Sequence, residues 1–371
     1  MIILFITNQL PPIVDGVGDY TYNLACEFAQ YGHSVHVICR SCKEIHTDYK
    51  EISVNPIIEC WNKTAGKQIA AYVRQHHVDV VSLQYVPHGF HPKGLPFGLV
   101  AALKEVKKTG IKVMTFCHEV SVEYKHGTIR QRMLEMLMKY VTKSILQLSD
   151  YTGTSIVRYR DMMLKLTDSH RSIAVIPIAS NIPVTEHTHE ELAELRNVIA
   201  PKREYIVAFF GMRDTATSLA AIKKMQDEGQ KIKILFIGKI PASMVGKLPA
   251  DSYKTGILDT KDIYKYFLVA DILILPENNI SGCSFKSGSL AAAMRAGLPI
   301  ITAKGCLTDT SLKDGENIIF TDFSQSKNIV SLLRSLLCNK EKCQRIAVNA
   351  QRLVTIRTWE YTYQEYMKIL N

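Results

Sequence analysis

The segment 276–299, PENNISGCSFKSGSLAAAMRAGLP, separates two apolar runs, DILIL (271–275) and IIT (300–302). The apolar runs are typical of buried strands, and the Asn, Ser and Gly residues between them are typical of a loop. A short helix is predicted to begin near Ser287 and to end at Gly297. The order is therefore strand, polar loop, helix, strand. Because free N–H groups and the helix dipole attract anions at a helix N-terminus, the pattern predicts a phosphate-binding loop.

The length and composition indicate a folded protein with more than one core. A chain of 371 residues is too long for one ordinary core, so we predict two domains. The hydrophobic content of 47% and the charged content of 22% are typical of a globular protein and do not indicate disorder. No apolar run reaches the roughly 18 residues of a membrane span. Residues 2–6 form a short apolar run without a basic leader, which predicts a first strand and not a signal peptide.

The cysteine pattern favours reduced thiols in the cytoplasm. The nine cysteines are an odd number, and several lie inside apolar runs. Cys39 and Cys42 have the spacing of a redox or metal pair. Because no second pair lies at zinc spacing, two ordinary thiols at a strand end are the favoured interpretation.

The net charge of +10 favours anionic partners, which could be nucleoside diphosphates, lipid headgroups or nucleic acid. No RNP, KH or zinc-finger pattern is present, so nucleic acid is the weakest of these. The predicted helix 127–148 carries Arg130, Arg132, Lys139 and Lys143, which are compatible with an anionic membrane surface. A solvated basic face is the favoured alternative, with the Met and Leu stripe of the helix in the core.

The N-terminal part predicts a βαβ unit. IILFIT (2–7) is a buried strand, Gly16-Val17-Gly18 forms a turn into a helix, and VHVIC (35–39) is the next strand. The turn does not continue as G-x-G-x-x-G, and no acidic residue closes the second strand. A dinucleotide site is therefore disfavoured.

Strands and helices continue to alternate up to about residue 177. Further strands are predicted at 78–83, 111–117, 151–155 and 173–177, with helices near 64–76, 97–109 and 127–148. His118 and Glu119 directly follow the strand at 111–117. Every connection is long enough for a crossover, so the sheet should be parallel.

The pattern is interrupted over the polar segment 181–203, which we interpret as a linker, and then restarts. Strands are predicted at 205–211, 233–238, 271–275, 300–303 and 317–320, with helices at 215–228, 260–270, 286–296, 324–339, 340–354 and 358–370. The fold class is therefore α/β, with two tandem doubly wound Rossmann-like domains. Their parallel sheets are expected to face each other across a cleft that binds a ligand.

Several segments, taken in order, resemble glycosyltransferase family 4, a retaining group with the GT-B fold. They are PPIVDGVGDYTYNLACEFAQYGHSVHVIC (11–39), TGILDTKDIYKYFLVADILILP (255–276), AAAMRAGLPIIT (291–302), DGENIIF (314–320) and TWEYTYQEYMKIL (358–370). The resemblance implies an acceptor-side domain at 1–180 and a donor-binding domain at 204–355. It also implies that a final helix at 356–371 returns to the first domain.

The resemblance further implies an activity. It is the transfer of a hexose from a nucleoside-diphosphate donor to a glycan or polyprenyl-linked acceptor, with retention of configuration and without a metal ion or other cofactor. Such a reaction would serve surface polysaccharide or glycolipid synthesis at the cytoplasmic face of the plasma membrane, with peripheral association of the protein with anionic lipid.

Catalytic roles would fall on His118 near the transferred sugar and on Arg213 and Lys286 near the diphosphate. The donor-binding residues carried over by position are Gly16, Val17, Gly18, Gly211, Gly256, Ile257, Leu258, Ser284, Phe285, Ser287, Gly288 and Ser289. The competing interpretations are a surface arginine, a structural histidine and a solvated loop lysine. His88 and His91 have i, i+3 spacing, but a metal site is disfavoured there because no cysteine or carboxylate lies nearby in sequence.

The chain departs from the family pattern in the segment 276–299 and in the segment 213–222. The Glu-x7-Glu motif of most members falls on Ser284 and Ala292, and RDTATSLAAI (213–222) lacks the usual lysine. A divergent branch has a similar SxxxGSLxxA pattern, which favours a variant active site. Glu277 is a candidate replacement for a lost glutamate. Two alternatives stay open: a non-catalytic GT-B subunit that stabilises a partner transferase, and a sugar-nucleotide epimerase.

Overall fold

The structure is a computed structural model that describes residues 1–45, 51–123, 127–167, 170–242 and 244–371. The chain divides into two compact units. The first contains Met1–Ile178 and Trp359–Asn371, and the second contains Ala179–Thr358. Each unit is built on one parallel sheet, as the long connections between the predicted strands indicate.

The first unit contains, within the described residues, a sheet of seven parallel strands in the order β3-β2-β1-β4-β5-β6-β7. The strands are β1 Ile2–Ile6, β2 Ser34–Arg40, β3 Ser53–Ile58, β4 Val80–Tyr85, β5 Lys112–Cys117, β6 Tyr151–Thr154 and β7 Ala174–Val175. The helices between them are α1 Gly16–Gln30, α2 Lys63–Gln75, α3 Pro87–Phe90, α4 Phe97–Lys107, α5 Ile129–Leu148 and α6 Val157–Leu164. The strand order changes direction between β1 and β4, and ligands bind at the carboxyl ends of strands at such a point.

The second unit repeats this architecture with six described strands in the order β10-β9-β8-β11-β12-β13. The strands are β8 Tyr205–Phe210, β9 Ile232–Ile237, β10 Tyr253–Lys254, β11 Ile272–Leu275, β12 Ile300–Thr302 and β13 Ile319–Phe320. The helices are α7 His189–Ile199, α8 Ala216–Asp227, α9 Thr260–Val269, α10 Gly288–Arg295, α11 Ser326–Leu337 and α12 Lys340–Leu353.

The chain closes with α13 Trp359–Leu370, which belongs to the first unit. Its Tyr366 is completely buried, with ring centroids 6.1 Å from Phe28 and 5.6 Å from Phe116. Thr362 donates a hydrogen bond to the Pro177 carbonyl at 3.2 Å. The last helix is therefore part of the first core and not an appendage.

The differences from the sequence-based expectations concern missed elements, the linker and α5. The edge strands β3 and β10 were not predicted, because β3 contains Asn55 and Pro56, which suit only an edge strand, and β10 has only two residues. The short helices α3 and α6 were not predicted either. The segment 181–203 lies in the second unit and contains α7, whose Arg196 pairs with Asp271 at 2.8 Å.

The third difference concerns α5. Its Met and Leu residues were expected in the core, but Met133, Met136 and Leu137 are exposed, while Met138 and Leu146 are buried. In the part of the chain that the structure describes, no helix has the length and apolar character to cross a membrane.

Candidate functional site

An arginine and a glutamate meet at the carboxyl edge of the second sheet. The strands β8 and β11 are parallel neighbours, so the residues that follow them emerge side by side. Arg213 follows β8 and Glu277 follows β11. The Arg213 Nε and Nη2 atoms each lie 3.2 Å from Glu277 Oε1. Gly211 has φ +77°, a conformation that glycine adopts without strain, and it turns the chain towards Arg213.

The guanidinium of Arg213 is held in one orientation. Besides facing Glu277, its Nη1 donates to the Phe210 carbonyl at 2.9 Å. The two side chains are only 18% and 28% exposed, so their charges are partly shielded from water. A planar fork of donors suits the oxygens of a diphosphate. An anion that bound to Nε and Nη2 of Arg213 would have to displace the Glu277 carboxylate.

The loop after β11 is fastened to the loop after β12. Backbone hydrogen bonds of 2.8–2.9 Å join Cys283 to Ala303, Cys306 to Ile280 and Leu307 to Ser281. The two chains approach so closely that a Cβ on Gly305 would lie 2.3 Å from the Gly282 nitrogen. The loop after β11 is therefore positioned by residues that lie 20 or more positions later in the sequence.

The side chains of Phe285 and Ser284 point into the protein and not outward as donor ligands would. The Phe285 ring is buried, and its centroid lies 3.5 Å from the Arg357 guanidinium carbon. The backbone N–H of Phe285 donates to Asp309 Oδ2 at 2.8 Å. The Ser284 hydroxyl is buried and has no hydrogen-bond partner among the described residues. In this loop conformation Phe285 anchors the loop through Asp309 and Arg357, and neither the Phe285 nor the Ser284 side chain lies on the surface.

Arg357 and Asp309 are supporting residues that sequence reasoning missed. Burial lowers the pKa of Arg357 to about 10, and burial raises the pKa of Asp309. Both lie far in sequence from the loop that they support. Their residue types alone gave no signal of this contact.

The N-terminus of α10 lies where the sequence predicted a helix start, and it offers free donors. The Ser287 hydroxyl caps the helix by accepting from the Leu290 N–H at 3.3 Å. The N–H groups of Gly288 and Ser289 have no partner among the described residues. Asn181, which sequence reasoning left in the linker, lies close to Gly288, so that a Cβ on the glycine would be 3.8 Å from its side chain. Lys286 is half-buried beside this helix end.

The predicted base-binding residues 256–258 lie at the other side of the same sheet edge. Gly256 has φ +71° and forms a bridge with Gly238, whose N–H donates to Thr255 Oγ1 at 2.9 Å. The Ile257 side chain is exposed. The backbone of this turn is thus well defined, while its apolar side chain is uncovered.

In the first unit, the glycine turn forms the first residues of α1. The Asp15 carboxylate caps the helix by accepting from the Gly18 N–H at 2.7 Å. The Gly18 donor, which was predicted to approach a diphosphate, is therefore already occupied. Glycine is required at position 18 by packing, because a Cβ there would lie 2.7 Å from the Gln9 carbonyl oxygen.

Two carboxylates lie together at this helix end. Burial, followed by the charge of Asp15, raises the pKa of Asp19 to about 6, and burial raises the pKa of Asp15. Acidic groups here favour hydroxyl groups as ligands and disfavour phosphate. The glycine turn is thus better suited to a sugar than to a diphosphate.

His118 lies at the carboxyl end of β5 in a buried polar network. Its Nε2 is 3.0 Å from Gln84 Oε1, and the Gln84 amide nitrogen faces Ser82 Oγ at 2.9 Å and the Tyr366 hydroxyl at 3.4 Å. The Tyr20 ring packs edge-on at 4.7 Å. Because burial lowers the pKa of His118 to about 3, the imidazole is neutral at pH 7.

The network selects one tautomer of His118. Since the amide oxygen of Gln84 only accepts, Nε2 carries the proton and donates to it. Nδ1 is then an acceptor, and it has no hydrogen-bond partner among the described residues. The side chain can therefore accept a hydrogen bond from a hydroxyl group. Tyr366 contributes to this network from the far end of the chain, which no local pattern reveals.

The remaining candidates have structural roles or no metal-binding geometry. His91 Nδ1 accepts from the N–H groups of Lys93 and Leu95, so it closes a turn. All nine cysteines are free, including Cys39 and Cys42. Within the described ranges, no group of three or more His, Cys, Asp or Glu side chains could hold a metal ion.

Comparisons with known proteins bear on the whole chain. The sequence profile of Glycosyltransferase Family 4 matches residues 14–177, and that of Glycosyl transferases group 1 matches residues 205–353. No curated protein sequence matches the chain.

Three solved structures illustrate the similarity of the fold. Sucrose-phosphate synthase from Thermosynechococcus elongatus has a TM-score of 0.73 at 14% identity, covering 100% of this chain and 98% of that one. HepE of Anabaena in complex with UDP has a TM-score of 0.72 at 13% identity, covering 100% and 99%. WaaG, a glycosyltransferase involved in lipopolysaccharide biosynthesis, has a TM-score of 0.69 at 14% identity, covering 100% and 99%.

These profiles and the two parallel sheets show that the chain belongs to glycosyltransferase family 4 and has the GT-B fold.

Proposed function

We propose that this glycosyltransferase moves a hexose from a nucleoside-diphosphate donor to a glycan or polyprenyl-linked acceptor, with retention of configuration and without a metal ion. The observation that carries the proposal is the pairing of an oriented cation with free helix donors at one sheet edge. Arg213 and the N–H groups of Gly288 and Ser289 follow the adjacent strands β8 and β11. HepE, which has the same fold, is known in complex with UDP, and this supports the same class of donor here.

The chemistry explains why these groups are useful. When the bond between the sugar and the diphosphate breaks, negative charge develops on the departing phosphate oxygen. Fixed cations and N–H groups that already point at that oxygen stabilise the charge without reorganisation. We assign this task to Arg213, Lys286 and the N-terminus of α10. Glu277 would keep Arg213 oriented in the free enzyme, and the diphosphate would replace Glu277 as the partner of Arg213 when the donor binds.

The sugar is assigned to the first unit's polar network. His118 is neutral and presents Nδ1 as an acceptor, which suits a sugar hydroxyl. Asp15 and Asp19 at the glycine turn have carboxylate oxygens that suit other hydroxyls. The direct phosphate contact that the resemblance implied for Gly18 is not part of this proposal, because its N–H serves the helix cap.

The setting of the reaction is proposed to be the cytoplasmic face of a membrane, in the synthesis of a surface polysaccharide or glycolipid. The net charge of +10 supports a location beside anionic lipid. The free thiols support a reducing compartment.

The test is a release assay for nucleoside diphosphate with a panel of UDP-, GDP- and ADP-sugars and lipid-linked acceptors. We expect turnover with one donor, unaffected by a metal chelator, and an anomeric coupling in the product that matches the donor. Arg213→Ala should lower kcat/KM by about 100-fold or more, since a charged contact to the leaving group is lost. The matched control is Arg345→Ala, because Arg345 is exposed on α12 of the same unit.

A non-catalytic role is the second candidate, and one observation favours it. Positions 284 and 292, where most of the family has glutamates, hold a buried serine and a buried alanine. This role predicts no binding of any sugar nucleotide and co-purification with another transferase. Conversion of a donor without any acceptor would instead indicate an epimerase. Loss of turnover in Arg213→Ala alone would rule out the non-catalytic role.

A further inference from the structure

The helix α5 carries an apolar ridge on its solvent side. Ile129, Met133, Met136, Leu137 and Tyr140, which we call the α5 ridge, are between 37% and 79% exposed. At 100° per residue they fall within one stripe of roughly 100°. The side of the helix that packs on the core is a different one, formed by Met138, Val141, Thr142, Ile145 and Leu146. The ridge is therefore a second apolar face that the fold of the first unit does not need.

Basic residues border the ridge on both sides. Arg132, Lys139 and Lys143 project along one flank, and Arg130 projects along the other. The acidic residue of the helix, Glu135, lies on a flank and pairs with Lys139. Long basic side chains can lie along an apolar surface and reach outward to anionic groups. The charge beside the ridge thus complements a negatively charged surface.

A basic cavity lies at the C-terminal end of the same helix face. It has a volume of about 650 Å³, and Lys143 and Gln147 of α5 contribute to its lining. Gln147 lies on the same side of the helix as Ile129 and Tyr140. At 1.5 Å per residue, it is about 20 Å along the helix axis from Met133. The cavity therefore continues the α5 ridge and is not a separate feature.

Three further basic side chains line the cavity, beside the uncharged Ser149, Leu166 and Thr167. They are Lys165, His170 and Arg171, and Arg171 also donates to the Ser149 carbonyl. The carboxylate in the lining, Asp150, is engaged elsewhere, since it accepts from Lys107 at 2.6 Å and from the Val113 N–H at 2.7 Å. The cavity thus keeps a positive balance that suits a phosphate-bearing headgroup.

We propose that the α5 ridge and this cavity form the surface by which the protein lies on an anionic lipid bilayer. The ridge enters the boundary between headgroups and acyl chains, the flanking lysines and arginines contact phosphates, and the cavity takes one anionic headgroup. A narrow apolar stripe between two basic borders fits a lipid surface better than a protein partner, which would bury a broader patch. The inference deepens the membrane-linked acceptor of the proposed function.

The experiment measures co-sedimentation of the full chain with phosphatidylcholine vesicles, with and without phosphatidylglycerol. We expect binding to the anionic vesicles that weakens with added salt, and little binding to neutral ones. Replacing Met133, Met136 and Tyr140 together by serine should weaken binding about tenfold or more, since the inserted apolar area is lost. Lys143→Glu with Lys165→Glu should weaken binding by a similar factor and reduce its salt dependence.

Matched controls lie on the second unit. Val198 on α7 is 64% exposed, close to the 62% of Met136, so Val198→Ser removes a comparable exposed apolar side chain. Lys224→Glu on α8 reverses a comparable exposed charge. Both should leave vesicle binding within about twofold, and because all these sites are exposed, each variant should keep its thermal midpoint.

Three results would overturn the proposal. They are no binding to anionic vesicles, equal binding by the serine variant, and a dimer in sedimentation that the serine variant converts to monomer. Such a dimer would indicate that the α5 ridge binds a second copy of the chain and not a membrane. Because the assay contains no sugar nucleotide, its failure is distinguishable from failure of the proposed transfer reaction.

Discussion

At the scale of single residues, the site depends on groups whose chemistry is set by their immediate neighbours. His118 is neutral because it is buried, and it presents Nδ1 because Gln84 occupies Nε2. Arg213 is oriented because Glu277 and the Phe210 carbonyl hold its fork. In each case a second residue determines what the first can bind.

The role of Gln84 as a positioning residue can be measured directly. Gln84→Leu removes the acceptor for Nε2–H, so His118 can adopt the other tautomer. We expect turnover to fall about tenfold, in line with one buried hydrogen bond. The ¹⁵N shifts of His118 should change from those of the Nε2–H form to a mixture of tautomers. Gln84→Glu keeps an acceptor and should raise the pKa of His118.

The control for this experiment is Thr115→Val. Thr115 is a buried polar residue of β5 that bonds Ser149 at 2.7 Å and not His118. It should change neither the tautomer nor the turnover by more than about twofold. If Gln84→Leu behaved in the same way, the positioning role would be wrong.

The burial of His118 also predicts a pH dependence of stability. The pKa is lowered to about 3 in the folded state, while an unfolded histidine has a pKa near 6.5. Between these values the unfolded chain binds the additional proton, so stability is lost as the pH falls below about 6.5. From pH 7 to pH 5 the loss should be about 2 kcal/mol for this residue.

Comparison with His118→Gln isolates this contribution, because Asp15 and Asp19 have raised pKa values and act in the opposite direction. Denaturant unfolding can be followed by tryptophan fluorescence, since both tryptophans, Trp61 and Trp359, lie in the first unit. The wild type should lose more stability than the variant over this range. Equal losses in the two proteins would contradict the expected burial of a neutral imidazole.

At the scale of elements, the donor loop is shaped by another loop. The segment that ends at α10 is joined to the loop after β12 by backbone hydrogen bonds, by the Phe285–Asp309 contact and by the close approach of Gly282 and Gly305. The parallel pairing of β11 with β12 brings these two loops out at the same sheet edge. The position of the free N–H groups of α10 therefore depends on the loop after β12.

Gly305→Ala tests this dependence. The added methyl group would lie 2.3 Å from the Gly282 nitrogen, so the two loops must separate. We expect a loss of about 1–3 kcal/mol of stability, as in other overpacked sites, and at least tenfold weaker donor binding by calorimetry. The control is Gly246→Ala in the same unit, where an added Cβ would meet nothing within 4 Å. Unchanged donor affinity in Gly305→Ala would show that the second loop does not position the first.

At the scale of the whole molecule, the chain crosses between its two units twice. The first crossing follows Ile178 and the second follows Thr358. Because α13 supplies Tyr366 to the first core, that unit is complete only when the C-terminus has been made. The stability of the first unit thus depends on residues that lie beyond the entire second unit.

Tyr366→Ala should therefore destabilise the first unit selectively. Loss of a fully buried aromatic side chain is expected to cost about 3–5 kcal/mol. Hydrogen exchange should become faster in β1, β4 and β5, while β8, β9 and β11 keep their protection. Gln364→Ala, at an exposed position of the same helix, is the control. Equal loss of protection in both units would indicate that they unfold as one.

The amino-acid sequence by itself determined the order of most elements and the class of the fold. Runs such as IILFI and ILIL are apolar at every position, because strands of a covered parallel sheet are buried on both faces. The capping serine and the glycine after α10 are local signals, so that helix was predicted nearly to its ends. Local signals failed at the edge strands β3 and β10 and on α5, where position in the sheet or on the surface overrides residue preference.

Only the tertiary structure decided which groups meet. Arg213 and Glu277 are 64 residues apart in sequence, and Gln84 and Tyr366 are 282 residues apart. A parallel sheet joins strands through long crossovers, so the neighbours of a strand end are set by strand order and register and not by the nearby sequence. The loop 276–299 illustrates both cases. Its helix N-terminus follows from its own residues, whereas the inward position of Ser284 and Phe285 follows from Ala303, Asp309 and Arg357.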